Sequence, residues 1–141
     1  MADLKDLSRR FYKEVFENCN LGAVDDLLDE NAIEHEPPPP GLTMKKGREG
    51  VKQLLKVYLD AFSSWSVDVH DQIAEGDKVV CRVTYKGTHS GDFVGIAPTG
   101  KSVTVEAFDA FRYKGDRIVE HWAVFDALGM LTQMGVIPPM Q

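Results

Sequence analysis

A chain of 141 residues is long enough to bury one continuous core and too short for two comfortable ones, so a single domain over residues 1–141 is expected. Hydrophobic residues make up 43% and charged residues 27%, globular proportions that exclude a disordered or collagen-like chain. With a formal net charge of −6 and its Lys and Arg scattered among acids, the chain lacks the basic patch that a nucleic-acid partner requires.

The first segment, from Asp3 to about Asn18, spaces Leu4, Leu7, Phe11 and Val15, with Tyr12 and Phe16, at the three-and-four intervals of an amphipathic helix. Its charged beginning offers neither a signal peptide nor a membrane span, and Cys19 and Cys81 stand in unrelated contexts, so a reduced, cytoplasmic protein is expected. Leu21, Val24, Leu27 and Leu28 predict a second, short helix, followed by an extended piece ending near His35. Pro37 to Pro40 then impose a stiff surface loop, because proline neither continues a helix nor joins a central strand. Beyond Gly47 the helical period returns in Val51, Leu54, Leu55, Tyr58, Leu59 and Phe62.

After this third helix the period changes to two. Trp65, Val67 and Val69, then Val79, Cys81, Val83 and Tyr85, form two alternating runs around a Gly76-Asp77 turn. Ser102 to Tyr113 and Arg117 to Phe125 repeat the pattern around Lys114-Gly115-Asp116, and Leu128, Met130, Leu131 and Met134 close the chain as a short helix. Helices first and meandering strands later give an α+β order.

Gly95-Ile-Ala-Pro-Thr-Gly100-Lys101-Ser102 matches the phosphate-loop pattern letter for letter. That motif works only where a helix begins at the lysine, so that backbone N–H groups and the helix dipole face the phosphates. Here β-branched, alternating residues follow, and Pro98 removes a donor, so a strand-connecting loop is the better reading.

Two stretches resemble the SnoaL-like polyketide cyclase or ester cyclase family: Gly87-Thr88-His89 through Gly95, Pro98 and Lys101, and Arg112 through Glu120-His121-Trp122 to Asp126, with Leu128-Gly129-Met130-Leu131 and Gly135 after it. The resemblance spans nearly the whole chain. It implies a curved antiparallel sheet wrapped around N-terminal helices into a cone with a deep pocket, as in nuclear transport factor two-like proteins. It also implies an intramolecular aldol cyclisation without metal or organic cofactor, with an aspartate that Asp126 resembles by its position after the tryptophan.

The last hairpin is expected to take Gly115-Asp116 as its two loop residues. Asp109 then faces Trp122, Val105 faces Asp126, and Val105, Ala107, Asp109, Phe111, Ile118, Glu120, Trp122, Val124 and Asp126 share a face. A carboxylate on that mainly apolar face would be desolvated and a better base, so Asp126 is the candidate acid/base, with a helix N-cap as its alternative role. Asp109 lies roughly 13 Å away along the strand, too far for a shared proton, and is a candidate for a second role or a rim ion pair. His35, in a His-x-Pro pattern similar to that of relatives, is a further catalytic candidate or a structural histidine. His89 reads as a loop organiser, while His70 and His121 receive no catalytic role.

Tyr12, Phe16, Tyr58, Phe62, Phe93, Trp122 and Met130 are the candidate substrate-binding residues. The opposite face, with Phe108, Ala110, Val119, Ala123 and Phe125, is also apolar, which predicts a homodimer through the outer sheet. No residues have metal-ligand spacing. The expected function is acid/base chemistry on a mostly apolar carbonyl compound; a non-catalytic small-molecule binding protein and an epoxide hydrolase or isomerase on the same fold are the alternatives.

Overall fold

The computed structural model describes residues 3–139. Helix α1 (Leu4–Phe11) begins where the Asp3 carboxylate accepts a hydrogen bond from the Lys5 N–H at 2.8 Å, relieving one of the unpaired donors of the first turn. It continues as a π-helical stretch, Tyr12–Glu17, and together the two bury Phe11, Tyr12, Val15 and Phe16. A 3-10 turn (Leu21–Ala23) and α2 (Val24–Leu27) lead directly into β1 (Leu28–Glu34). Leu28, helical by its spacing, is therefore the first strand residue. The four prolines lie outside helix and strand and connect β1 to α3 (Arg48–Ala61), whose Val51, Leu54 and Leu55 are buried.

Four long strands follow: β2 (Phe62–Glu75), β3 (Lys78–His89), β4 (Ser102–Lys114) and β5 (Arg117–Phe125). The β2–β3 and β4–β5 turns place Gly76 and Gly115 at φ of 62° and 64°, in the left-handed region that glycine adopts without a Cβ penalty. Helix α4 (Ala127–Gln133) ends the described fold. The curved five-stranded sheet has the order β1-β5-β4-β3-β2. Strands β2 to β5 are antiparallel neighbours, whereas β1 runs parallel to β5, so the sheet is mixed at that edge rather than antiparallel throughout.

Along β4, Val103, Val105, Ala107, Asp109, Phe111 and Tyr113 are buried in strict alternation. This inner face packs on α1 and the π-helical stretch, where Phe11 meets Phe111 edge-on at 5.4 Å between centroids and Ser8 bonds the Tyr113 hydroxyl at 2.8 Å. The segment with the phosphate-loop pattern is a loop that runs into β4, with no helix at Lys101. His89 organises it: its N–H donates to the Lys101 carbonyl, its carbonyl accepts from Gly100, and its Nδ1 accepts from the Thr99 N–H.

The β4–β5 register departs from that of a regular two-residue hairpin. Lys114 pairs with Arg117 and Tyr113 with Ile118, but Arg112 pairs with Glu120 and Asp109 with Ala123. Val119 is the extra residue, a β-bulge, and beyond it every side chain of β5 changes face. His121, Ala123 and Phe125 therefore point inward, and Glu120, Trp122 and Val124 outward, the reverse of the regular register.

Candidate functional site

The concave face of the sheet, α3 and the N-terminal helices enclose a cavity of about 100 Å³, several times the room one water needs. Most of its wall is apolar: Phe16 and Leu28, then Val51, Leu54 and Leu55 of α3, Phe62 and Trp65 of β2, Val103 and Val105 of β4, Phe125 and Met130. Glu34, Glu36, Tyr58, Tyr85, Asp109 and His121 supply the polar and ionisable wall.

Asp109, only 4% exposed, stands at the centre of a hydrogen-bond network. Its Oδ2 accepts from the hydroxyls of Tyr12 and Tyr85, each at 2.7 Å, and its Oδ1 faces His121 Nε2 at 2.9 Å. His121 Nδ1 in turn meets Glu34 Oε2 at 2.7 Å. The parallel pairing of β1 with β5 sets Glu34 beside His121, and the Val119 bulge turns the imidazole toward both carboxylates.

Burial alone would lower the His121 pKa, but the hydrogen bonds and charges of Asp109 and Glu34 override it and raise the value to about 10. At neutral pH the ring is therefore an imidazolium donating from both nitrogens. For Asp109, burial pushes upward, yet His121 and the two tyrosine hydroxyls hold the carboxyl below its ordinary value. Their own burial, and then the charge of the same carboxylate, hold the Tyr12 and Tyr85 phenols well above the usual range. Glu36 behaves oppositely to Asp109. Burial, then the charge of Glu34, raises its carboxyl to about 7, against a smaller lowering by His121. Among the described residues no group of three or more His, Cys, Asp and Glu is placed to hold a metal ion.

The SnoaL-like polyketide cyclase model matches residues 6–134. The chain belongs to the SnoaL-like polyketide cyclase family. Among solved structures it is similar to IdmH of Streptomyces antibioticus, a candidate polyketide cyclase, at 29% identity and a TM-score of 0.81, over 95% of this chain and 99% of that one. A candidate polyketide cyclase of Acidithiobacillus ferrooxidans is 26% identical at a TM-score of 0.82, with 96% of each chain covered. TsrD of Streptomyces laurentii shares the fold at a TM-score of 0.83 and 24% identity, over 97% of this chain and all 100% of that one. No curated protein matches the sequence.

Within this SnoaL-like domain the residues singled out from sequence separate into three groups. Phe16, Tyr58, Phe62, Met130 and Asp109 line the cavity. Tyr12 and Phe93 are buried just behind that wall, Tyr12 on Asp109 and Phe93 against Tyr58 and Phe62 at 5.6 and 5.7 Å. Trp122, His35 and Asp126 do not face the cavity. The bulge puts Trp122 on the outer sheet face, where it stacks on the His35 ring at 4.8 Å with 3° between planes. His35 Nε2 there bonds Glu120 at 2.6 Å. Asp126 is exposed and accepts the Gly129 N–H at 2.9 Å, the N-cap of α4, because the shifted register leaves it opposite the outward-facing Glu106.

Sequence reasoning missed Glu34, Glu36, Tyr85 and His121. For His121 a signal existed: the apolar pair Ile118-Val119 followed by the polar pair Glu120-His121 breaks period two, which is what a bulge does. Glu34 and Glu36 alternate around His35 and so share a face, but nothing local says that this face is the inner one.

Proposed function

We propose that this SnoaL-like domain is a cofactor-independent, cyclase-type enzyme that performs acid/base chemistry on a mostly apolar carbonyl compound held in the cavity. The reading rests on one observation: an otherwise apolar cavity has a buried network of Glu34, His121, Asp109, Tyr12 and Tyr85, with Glu36 beside it. An aldol-type closure needs a carboxylate to take a proton beside a carbonyl and donors to hold the enolate oxygen, in a site sheltered from water. The apolar wall accepts the carbon skeleton, and the polar wall supplies those groups. Asp126, which a regular register would place in the cavity, caps α4 instead, so the acid/base role falls to the carboxyls of the cavity wall.

A binding protein without turnover is the second reading, favoured by the full engagement of Asp109 and His121 with protein partners. Exchange of the acidic α-protons of β-tetralone in heavy water, followed by NMR, separates the two. The enzyme reading expects acceleration over buffer and a loss of roughly a hundredfold or more in Asp109→Asn. Binding of the ketone without any acceleration would establish the binder.

The outer face supports a homodimer. Ile73, Val80, Ala110 and Trp122 pair in one row across β2 to β5, and beside it Phe108 and Val124 face each other while 55% and 76% exposed. A contiguous apolar surface of this kind is stabilised by burial against a second copy. No helix among the described residues is long and apolar enough to cross a membrane, and the unpaired Cys19 and Cys81 fit a reducing, cytoplasmic setting.

A further inference from the structure

Asp109 and His121 are held too firmly to exchange protons with a ligand. The Asp109 oxygens accept from two phenols and an imidazolium, and both His121 nitrogens are occupied by carboxylates. Glu34 accepts from His121 and from the backbone N–H of Glu36 at 3.1 Å. The Glu36 carboxyl differs: it lines the cavity, and among the described residues no donor hydrogen-bonds it.

Its backbone, in contrast, is fixed. The Glu36 N–H is tied to Glu34, the neighbouring His35 N–H donates to the His121 carbonyl at 3.0 Å, and Pro37 locks the next φ. A free carboxyl on an anchored backbone can reach into a cavity without the segment moving. The ionisable groups that act on it electrostatically are Glu34 from β1, His121 from β5 and Asp109 from β4; Tyr58 of α3 and Tyr85 of β3 in turn feel its charge. The two carboxylates disfavour its charge and the imidazolium favours it, with burial the largest influence.

We infer that Glu36 is the general acid/base of the cavity, while Glu34, His121 and Asp109 form a fixed positioning platform. This deepens the enzyme reading above and rests on it. In the forward step a Glu36 carboxylate oxygen bonds the proton of a carbon beside a carbonyl. The C–H electron pair becomes the C–C double bond of an enolate, and the carbonyl pair moves onto oxygen. The enolate carbon then forms a C–C bond to a second carbonyl of the same molecule, whose oxygen becomes an alkoxide. Glu36 returns its proton to that alkoxide and is again a carboxylate, so no co-reactant is consumed. A carboxyl with a midpoint of about 7 is suited to both halves of this cycle near neutral pH.

The test is Glu36→Gln, which removes no hydrogen bond of the folded protein, checked for an unchanged circular dichroism spectrum. In the β-tetralone exchange assay the wild-type rate should rise through about pH 7, and the variant should lose roughly a hundredfold or more and the pH step with it. Carboxyl-labelled glutamate followed by carbon NMR should show one resonance titrating near 7 that is missing from the variant. Exchange by the variant within threefold of wild type, or a Glu36 resonance titrating with the exposed glutamates, would overturn the assignment. Failure of the enzyme reading looks different, because the wild type itself would then bind β-tetralone without accelerating exchange.

Discussion

Replacing His121 with Phe should remove the imidazolium's share of the stability that the protein loses at alkaline pH. The folded-state pKa of about 10 lies above the unfolded value of 6.5, so the imidazolium's contribution is complete below pH 6.5 and disappears as pH rises through 10. A shift of that size corresponds to at most about 5 kcal/mol at 1.36 kcal/mol per unit. The loss of one partner from a buried ion pair gives a similar figure, roughly 3–5 kcal/mol, since Glu34 and Asp109 would be left facing each other without a counter-charge. With a urea slope of about 2 kcal/mol per molar, the wild-type midpoint should exceed that of the variant by roughly 1.5–2.5 M at pH 6.5. Urea unfolding of both proteins at half-unit steps from pH 6.5 to 10.5 measures the difference directly, and groups unaffected by the substitution cancel. The gap should close steadily with rising pH. A gap that stays constant over the range, or is below about 1 kcal/mol at pH 6.5, would show that His121 is not held as an imidazolium between two carboxylates.

Asp126→Ala should cost about 1 kcal/mol in thermal or urea unfolding through loss of the α4 cap, and should leave β-tetralone exchange at the wild-type rate. Val124→Glu places a charge on the most exposed apolar position of the β4–β5 hairpin, and light scattering at micromolar concentration should then report a monomer where the wild type is a dimer; a wild-type monomer would end the dimer reading.

The helices and strands were legible because their apolar periods are long. Leu4 to Phe16 and Val51 to Leu59 have the helical period, and Val103, Val105, Ala107, Phe111 and Tyr113 keep a period of two that Asp109 alone interrupts, so a misplaced boundary such as Leu28 does not disturb the order of elements. The lining residues Phe16, Tyr58 and Phe62 follow from those periods, each standing on the buried side of a well-marked element. The acid/base wall was less legible because it depends on alignment between strands. Glu34 reaches His121 only through the parallel β1–β5 pairing, a contact 87 residues apart in sequence that no local pattern specifies. Trp122 and Asp126 were misplaced together for a single reason, the parity of β5 beyond Val119, whereas His35 points outward because it alternates with Glu34 and Glu36 on its own segment.

That parity also decides the charge of the cavity. In a regular hairpin Glu120 would stand opposite Phe111 on the inner face, joining Asp109 and Glu34 with no cation among them, and His121 would point to the outside. The bulge exchanges the two. Glu120 leaves for the outer surface, where Arg112 bonds it at 2.8 Å and His35 at 2.6 Å, while the imidazolium of His121 enters between Asp109 and Glu34. Three uncompensated carboxylates in an apolar enclosure would be driven to protonate or to open the fold. One cation between two carboxylates lets both remain ionised and fixed, and limits the repulsion that reaches Glu36. A carboxyl that must accept and release a proton near neutral pH needs such a neighbourhood: buried first, and negative enough besides, to hold its pKa above that of a surface acid, and compensated enough that it can still ionise.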